Sequence, residues 1–204
     1  MAAVPALAAS VAEPGFAKVV KARIHPDLPE MSFSLRTDAE PDASGTLFIK
    51  SIEIRRGRDA EPVQRITGLD TQTPWSAQAP GFEAIDMNFD GYADIRLVES
   101  RPAGPNLPRL HWLYDPASGR FVSSPALNDL GSPSPDAAAR ELTSDWRDSA
   151  MRYGTDHHAF QGDRLVPLRR EAREYQHPGV YTLQVSHWID GRWQVVQSRP
   201  GKDP

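Results

Sequence analysis

Cysteine is absent from the chain. Thiol nucleophiles, thiolate metal sites and disulfides are thereby excluded together, and the redox state of the compartment leaves no mark on the sequence. Long apolar runs are missing too. No stretch approaches the ~20 consecutive apolar residues of a membrane-spanning helix. Charge of one sign is not in excess: 23 Lys and Arg stand against 27 Asp and Glu, a net charge of −4 with both signs scattered. Without a basic run, nucleic acid is not an expected partner. Motifs that carry catalysis are lacking as well. There is no G-x-S-x-G elbow, no H-E-x-x-H and no Gly-rich phosphate loop ahead of a helix. His157 and His158 are adjacent, which on a strand sends them to opposite faces, so one packed and one exposed histidine are expected and not a joint metal site. Paired carboxylates of the glycosidase kind are already accounted for by turns and by one acidic loop. The expectation is a protein that is not an enzyme.

What is present points to strands. Apolar residues make up 39% of the chain, with five Trp and five Tyr, enough to build a core. Nineteen Pro and fourteen Gly suit short strands joined by turns. Met31, Phe33 and Leu35 alternate with polar neighbours, which predicts a half-buried strand. L-F-I-K-S-I-E-I-R-R (47–56) reads as a longer strand whose phase blurs at Lys50 and Ser51, as a bulge would make it do. Residues 84–88, 93–99 and 110–114 are further strand candidates.

Three stretches then share one grammar of aromatics, a Gly or Asp turn, Arg, and an apolar return. They are W-L-Y-D-P-A-S-G-R-F-V (112–122), H-A-F-Q-G-D-R-L-V (158–166) and H-W-I-D-G-R-W-Q-V (187–195). Asp190-Gly191 is the strongest hairpin signal among them. The three hairpins are expected to form an antiparallel meander. Ser134-Pro135 could open a helix, so one helical turn at most is expected near 135–141, with a strand after it. The predicted class is all-β: an antiparallel meander, sandwich-like or a partly open barrel, with a single domain over 25–200. Its core is expected to include Phe33, Leu35, Ile52, Ile54, Ile85, Ile95, Leu97, Trp112, Leu183 and Val195. The start, M-A-A-V-P-A-L-A-A-S-V-A-E-P, has a short apolar run followed by small residues. Residues 1–24 are accordingly expected to be a signal remnant or a flexible segment, and the protein to be exported to the periplasm.

The most informative stretch is I-D-M-N-F-D-G-Y-A-D-I-R-L (85–97). Asp86, Asn88 and Asp90 supply oxygen donors at positions 1, 3 and 5 of a calcium loop of the EF-hand kind. Gly91 at position 6 permits the sharp turn, Tyr92 at position 7 offers its carbonyl, and Asp94 takes position 9. Hard oxygen donors without His or Cys favour Ca2+ over a transition metal. Position 12, a bidentate Glu in an EF-hand, is Leu97 here, and the flanks read as strands. A structural calcium loop between strands is expected, in preference to an acidic hairpin turn without metal.

The order of the 85–97 stretch, then H-W-L-Y-D-P-A-S-G-R-F-V-S-S-P-A-L, W-R-D-S-A-M-R-Y-G-T-D and G-D-R-L-V-P-L-R-R-E-A-R-E-Y, resembles one bacterial group. It is similar to exported calcium-binding immunity proteins that protect against peptidoglycan-hydrolase effectors of an antibacterial type IV secretion system. That family is similar in fold to the periplasmic lysozyme inhibitors. The resemblance covers roughly residues 80–197. It implies an antiparallel β fold, calcium at Asp86, Asn88, Asp90 and Asp94, and a lysozyme- or chitinase-like glycoside hydrolase as partner. Members of the group often carry a lipobox Cys where this chain has Ser10, so the soluble periplasmic form is the one implied.

Two loops are candidates for entering a hydrolase cleft. In the Pro-rich connection 100–109, Asn106 and Arg109 offer donors suited to an acidic cleft. In the turn 117–120, Ser118 and Gly119 are similar to the cleft-inserting motif of lysozyme inhibitors, with Arg120 beside them. The competing function class is a calcium-stabilised envelope scaffold with no enzyme target.

Overall fold

The computed structural model describes residues 16–76, 81–102 and 107–203. Among them fifteen strands form three antiparallel sheets with 2% helix and no closed barrel, a β-sandwich arrangement. Sheet A holds β1 (Phe16–Ala22), β2 (Met31–Thr37), β3 (Thr46–Arg56) and β4 (Gln64–Ile66) in that order, with β5 (Thr71–Pro74) also paired to β3. The first fifteen residues lie outside the described ones. From Phe16 onward, the stretch expected to be leader or flexible segment pairs with β2 along its whole length.

β3 can serve β4 and β5 on one edge because its phase changes midway. Leu47 and Ile49 are buried, and so are Ile52 and Ile54, two pairs out of step with each other. The register slips opposite Arg36 and Thr37, where Lys50 is the extra residue. This is the bulge that the blurred alternation predicts.

Sheet B is the meander β6 (Phe82–Ile85), β7 (Asp94–Val98), β8 (Arg109–Asp115), β9 (Arg120–Ser123). It faces sheet A across one core in which Phe33, Leu35, Ile52 and Ile54 meet Phe82, Ile95, Leu97 and Trp112. Side chains also tie the sheets at two edges. The Gln64 amide donates to the Phe121 carbonyl at 2.7 Å and accepts its N–H at 2.8 Å. The Thr73 hydroxyl donates to the Val98 carbonyl at 2.7 Å.

One helical turn, α1 (Pro125–Asn128), leads to sheet C: β10 (Ser134–Asp136), β11 (Glu141–Arg147), β12 (Arg152–Gln161), β13 (Arg164–His177), β14 (Val180–Ile189) and β15 (Arg192–Lys202), paired consecutively. Near 135–141, where one helical turn at most is expected, β10 is followed by a turn at 137–140, and Pro135 pairs with Leu142 at the sheet edge. The strand expected after it is β11. Asp190 and Gly191, both at positive φ, make the two-residue turn of the β14–β15 hairpin. The 158–166 and 187–195 hairpins belong to this meander, whereas 112–122 belongs to sheet B.

Sheets B and C meet at a smaller cluster of Met87, Phe89, Leu127 and Leu142, with Ile85, Phe160 and Leu165 packed around it. Seven of the ten expected core residues are buried, and three need correction. Ile85 is half-buried in this second cluster, Leu183 is half-buried, and Val195 is 58% exposed. The last two lie on the outer strands of sheet C, where alternation produces a strand but no second layer covers it. Of the two histidines, one expected to be packed and one exposed, His158 is buried and His157 is half-buried with Nδ1 3.1 Å from Glu141.

Candidate metal centre and partner-binding loops

The loop between β6 and β7 alternates two kinds of residue. Met87 and Phe89 are buried in the cluster between sheets B and C. Asp86, Asn88 and Asp90, on alternate positions, bind the loop's own backbone. Asp86 accepts the N–H groups of Phe89 at 2.6 Å and Gly91 at 3.0 Å through its two oxygens. Asn88 Oδ1 accepts the Asp90 N–H at 3.2 Å, and its amide donates to Asp90 at 2.9 Å. Asp90 also accepts the Tyr92 N–H at 2.8 Å. Gly91 has φ +94°, the left-handed region that disfavours a side chain.

Asp94 differs from the rest. It is fully buried, and its two oxygens accept the N–H groups of Met87 and Tyr114, each at 2.8 Å. Burial, helped by the charges of Asp90 and Asp86, pushes its pKa up to about 7 against those two donors. The carboxylates therefore feel one another. Among the described residues no three His, Cys, Asp or Glu side chains stand in a ready metal cluster. The donor chemistry and the field at Asp94 fit a hard divalent cation held by Asp86, Asn88, Asp90, Asp94 and the Tyr92 carbonyl.

The two expected partner loops fare differently. Asn106 lies outside the described residues. Arg109 is half-buried and sits 3.3 Å from Glu83, which also binds Arg96 at 2.6 Å. Burial would raise the Glu83 pKa, but Arg96 and Arg109 hold it below the ordinary value. Arg109 is thus part of an internal ion cluster and not a spare donor.

The β8–β9 turn is better placed. Asp115 accepts the N–H groups of Ala117 at 3.0 Å and Ser118 at 3.2 Å, and the Ser118 hydroxyl helps keep its pKa low. Gly119 takes φ +68° and its carbonyl accepts from Arg56 at 3.4 Å. Ser118 and Arg120 are exposed, and Arg120 forms no ion pair among the described residues. A cleft of about 620 Å³ is lined by Asn88 and Asp90 of the acidic loop and by Tyr114, Asp115 and Pro116, which lead into this turn.

The sequence did not reveal the anchoring role of Met87 and Phe89, although their alternation with the acids was there to be read. Nor did it reveal which arginines of sheet C share a row, since that depends on the register of distant strands.

A sandwich of antiparallel sheets with an acidic loop at a strand junction is the class these features define. The fold is shared with a solved structure described as that of a Xanthomonas type IV secretion system related protein. The two superpose with a TM-score of 0.65 over 89% of this chain and 99% of that one, at 15% sequence identity. No family model and no curated protein matches the sequence.

Proposed function

We propose that this chain is an exported, non-enzymatic, calcium-binding protein of the immunity type, acting beside a type IV secretion system. It inhibits a lysozyme-like peptidoglycan hydrolase by inserting the Ala117–Arg120 turn into the enzyme's cleft. The fold likeness to a secretion-related protein supports the setting. The observation that carries the reading is that the acidic loop borders the same cleft as Asp115 and Pro116, the residues that lead into the exposed turn. An ion at Asp86, Asn88, Asp90 and Asp94 would stiffen one wall and so pre-organise the other for docking.

The test is peptidoglycan clearing by a lysozyme- or chitinase-like effector, measured with the protein in calcium or in chelator. Inhibition is expected in calcium and is expected to weaken in chelator. Arg120→Ala should weaken it by about tenfold or more, the usual cost of truncating an interface arginine anchor. If such hydrolases clear the substrate equally fast with and without the protein, an envelope scaffold without an enzyme target is the reading to adopt. Inhibition that survives Arg120→Ala moves the contact to another loop.

A further inference from the structure

Sheet C carries a second cleft, of about 660 Å³, on the face opposite to Leu142. Its floor is a single register row. Arg147 on β11 pairs with Tyr153 on β12, Tyr153 with Arg173 on β13, Arg173 with Leu183 on β14, and Leu183 with Arg199 on β15. Arginine therefore recurs on every second strand, about 10 Å apart at the usual inter-strand spacing.

The acids of the same cleft are engaged elsewhere. Asp145 accepts the Thr155 hydroxyl at 2.7 Å, and Glu171 sits 3.6 Å from Arg169 and 4.0 Å from His157. Arg147, Arg173 and Arg199 form no ion pair among the described residues. Three arginines outside any ion pair, against the two acids Asp145 and Glu171, leave the cleft a positive surplus that favours an anionic ligand.

Aromatic faces lie among them. The Arg147 guanidinium stacks 5.6 Å over Tyr153, and that of Arg173 5.1 Å over Tyr181. Stacking holds a guanidinium flat, and although Arg147 gives its Nε–H to the Ser149 carbonyl at 3.1 Å and Arg173 bonds the Tyr153 and Tyr175 hydroxyls, each has five N–H groups and keeps others for a carboxylate. The neighbouring row is Tyr175, Tyr181 and Gly201, and any side chain at Gly201 would run into the Tyr181 ring. The missing Cβ lets that ring lie across β15.

Spacing decides between classes of polyanion. Alternate acids on an extended peptide recur at about 7 Å, too short for this row. A disaccharide repeat is close to two strand spacings, and pyranose rings offer flat apolar faces to aromatic ones. We propose that the row Arg147–Arg173–Arg199 binds a linear acidic glycan with one carboxylate per disaccharide. The volume suits a short oligosaccharide. This site is separate from the 117–120 turn and does not depend on its role.

Titration calorimetry with a hyaluronan hexasaccharide, which has one uronate per disaccharide, tests the proposal. Neutral chitohexaose and hexaglutamate serve as comparators. The wild-type chain should bind the hyaluronan fragment, more weakly as salt rises, and give no heat with chitohexaose. Arg173→Gln and Arg199→Gln should each lose about tenfold in affinity, the scale of one charge-assisted contact. Arg199 lies on the exposed edge strand, so its variant keeps the test open should the other fail to fold. The proposal is overturned if the hyaluronan fragment gives no heat, or if the double variant binds it like the wild type. Equal binding of chitohexaose, or tighter binding of hexaglutamate, overturns it as well.

Discussion

The Asp94 carboxylate accepts the backbone N–H of Tyr114 at 2.8 Å, joining the last acidic position of the loop to the far end of β8. Its other oxygen holds the N–H of Met87. Asp94→Ala would leave both buried donors without an acceptor, at about 1–3 kcal/mol each. A loss of about 2–5 kcal/mol is expected in urea unfolding. Asp94→Asn retains an amide oxygen for one donor and should lose roughly half as much. A loss under about 1 kcal/mol for the alanine variant would mean that the loop relaxes to find other acceptors.

Calcium is expected to raise the melting temperature, because only the folded loop brings these oxygens together. At a hundred times the dissociation constant the gain is about 2.7 kcal/mol. Asp90→Ala should remove most of that gain while changing the metal-free stability little, since Asp90 is exposed and bonds only within the loop. A melting curve that ignores both calcium and chelator would end the calcium reading.

His111 links stability to pH. It is 1% exposed and its Nδ1 lies 3.2 Å from Asn128 Oδ1, while Nε2 is buried without a partner among the described residues. Burial lowers its pKa to about 4, opposed by Asn128 and reinforced by Arg96 and Arg109. The unfolded chain protonates near pH 6.5, whereas the folded chain stays neutral until about pH 4. Its contribution is therefore complete above pH 6.5 and is lost as pH falls towards 4, by on the order of 3 kcal/mol. Subtracting the pH profile of His111→Gln from that of the wild type should isolate this loss. Parallel profiles would show that His111 takes up its proton in the folded state.

Gly154 gives a packing prediction. A Cβ there would overlap the Glu171 carbonyl oxygen and come within 2.7 Å of the Trp146 ring, which lies across it from the paired strand. Gly154→Ala should cost about 1–3 kcal/mol, the usual penalty of overpacking. Thermal melts would check it, with Gly162→Ala as the comparison. Gly162 has nothing within 4 Å of its Cβ position, so strain from its positive φ alone should appear there.

The all-β class, the bulge at Lys50 and the Asp190-Gly191 turn could be read because each is a local signal of backbone geometry. Other features were not legible, for identifiable reasons. Ser-Pro occurs at 124–125, 132–133 and 134–135, and it opens a helical turn only at the first. Pro135 instead takes a sheet edge, where its missing N–H costs no ladder bond. Val195 alternates as a core residue would, yet period-two patterning reports only that a strand has two faces. Whether a second sheet covers either face is set by packing far away in sequence. Arg109 was legible as a donor, but Glu83, its partner, lies 26 residues away on another strand.

Residues 86–90 place opposite demands on neighbouring codons. A library of this loop selected only for soluble folded protein should retain bulky apolar residues at 87 and 89, where the side chains fill the junction of two sheets. It should let Asn88 and Asp90 drift. Selection for calcium dependence should instead hold Asn88 and Asp90 fixed, and the same five positions would then yield two complementary substitution profiles.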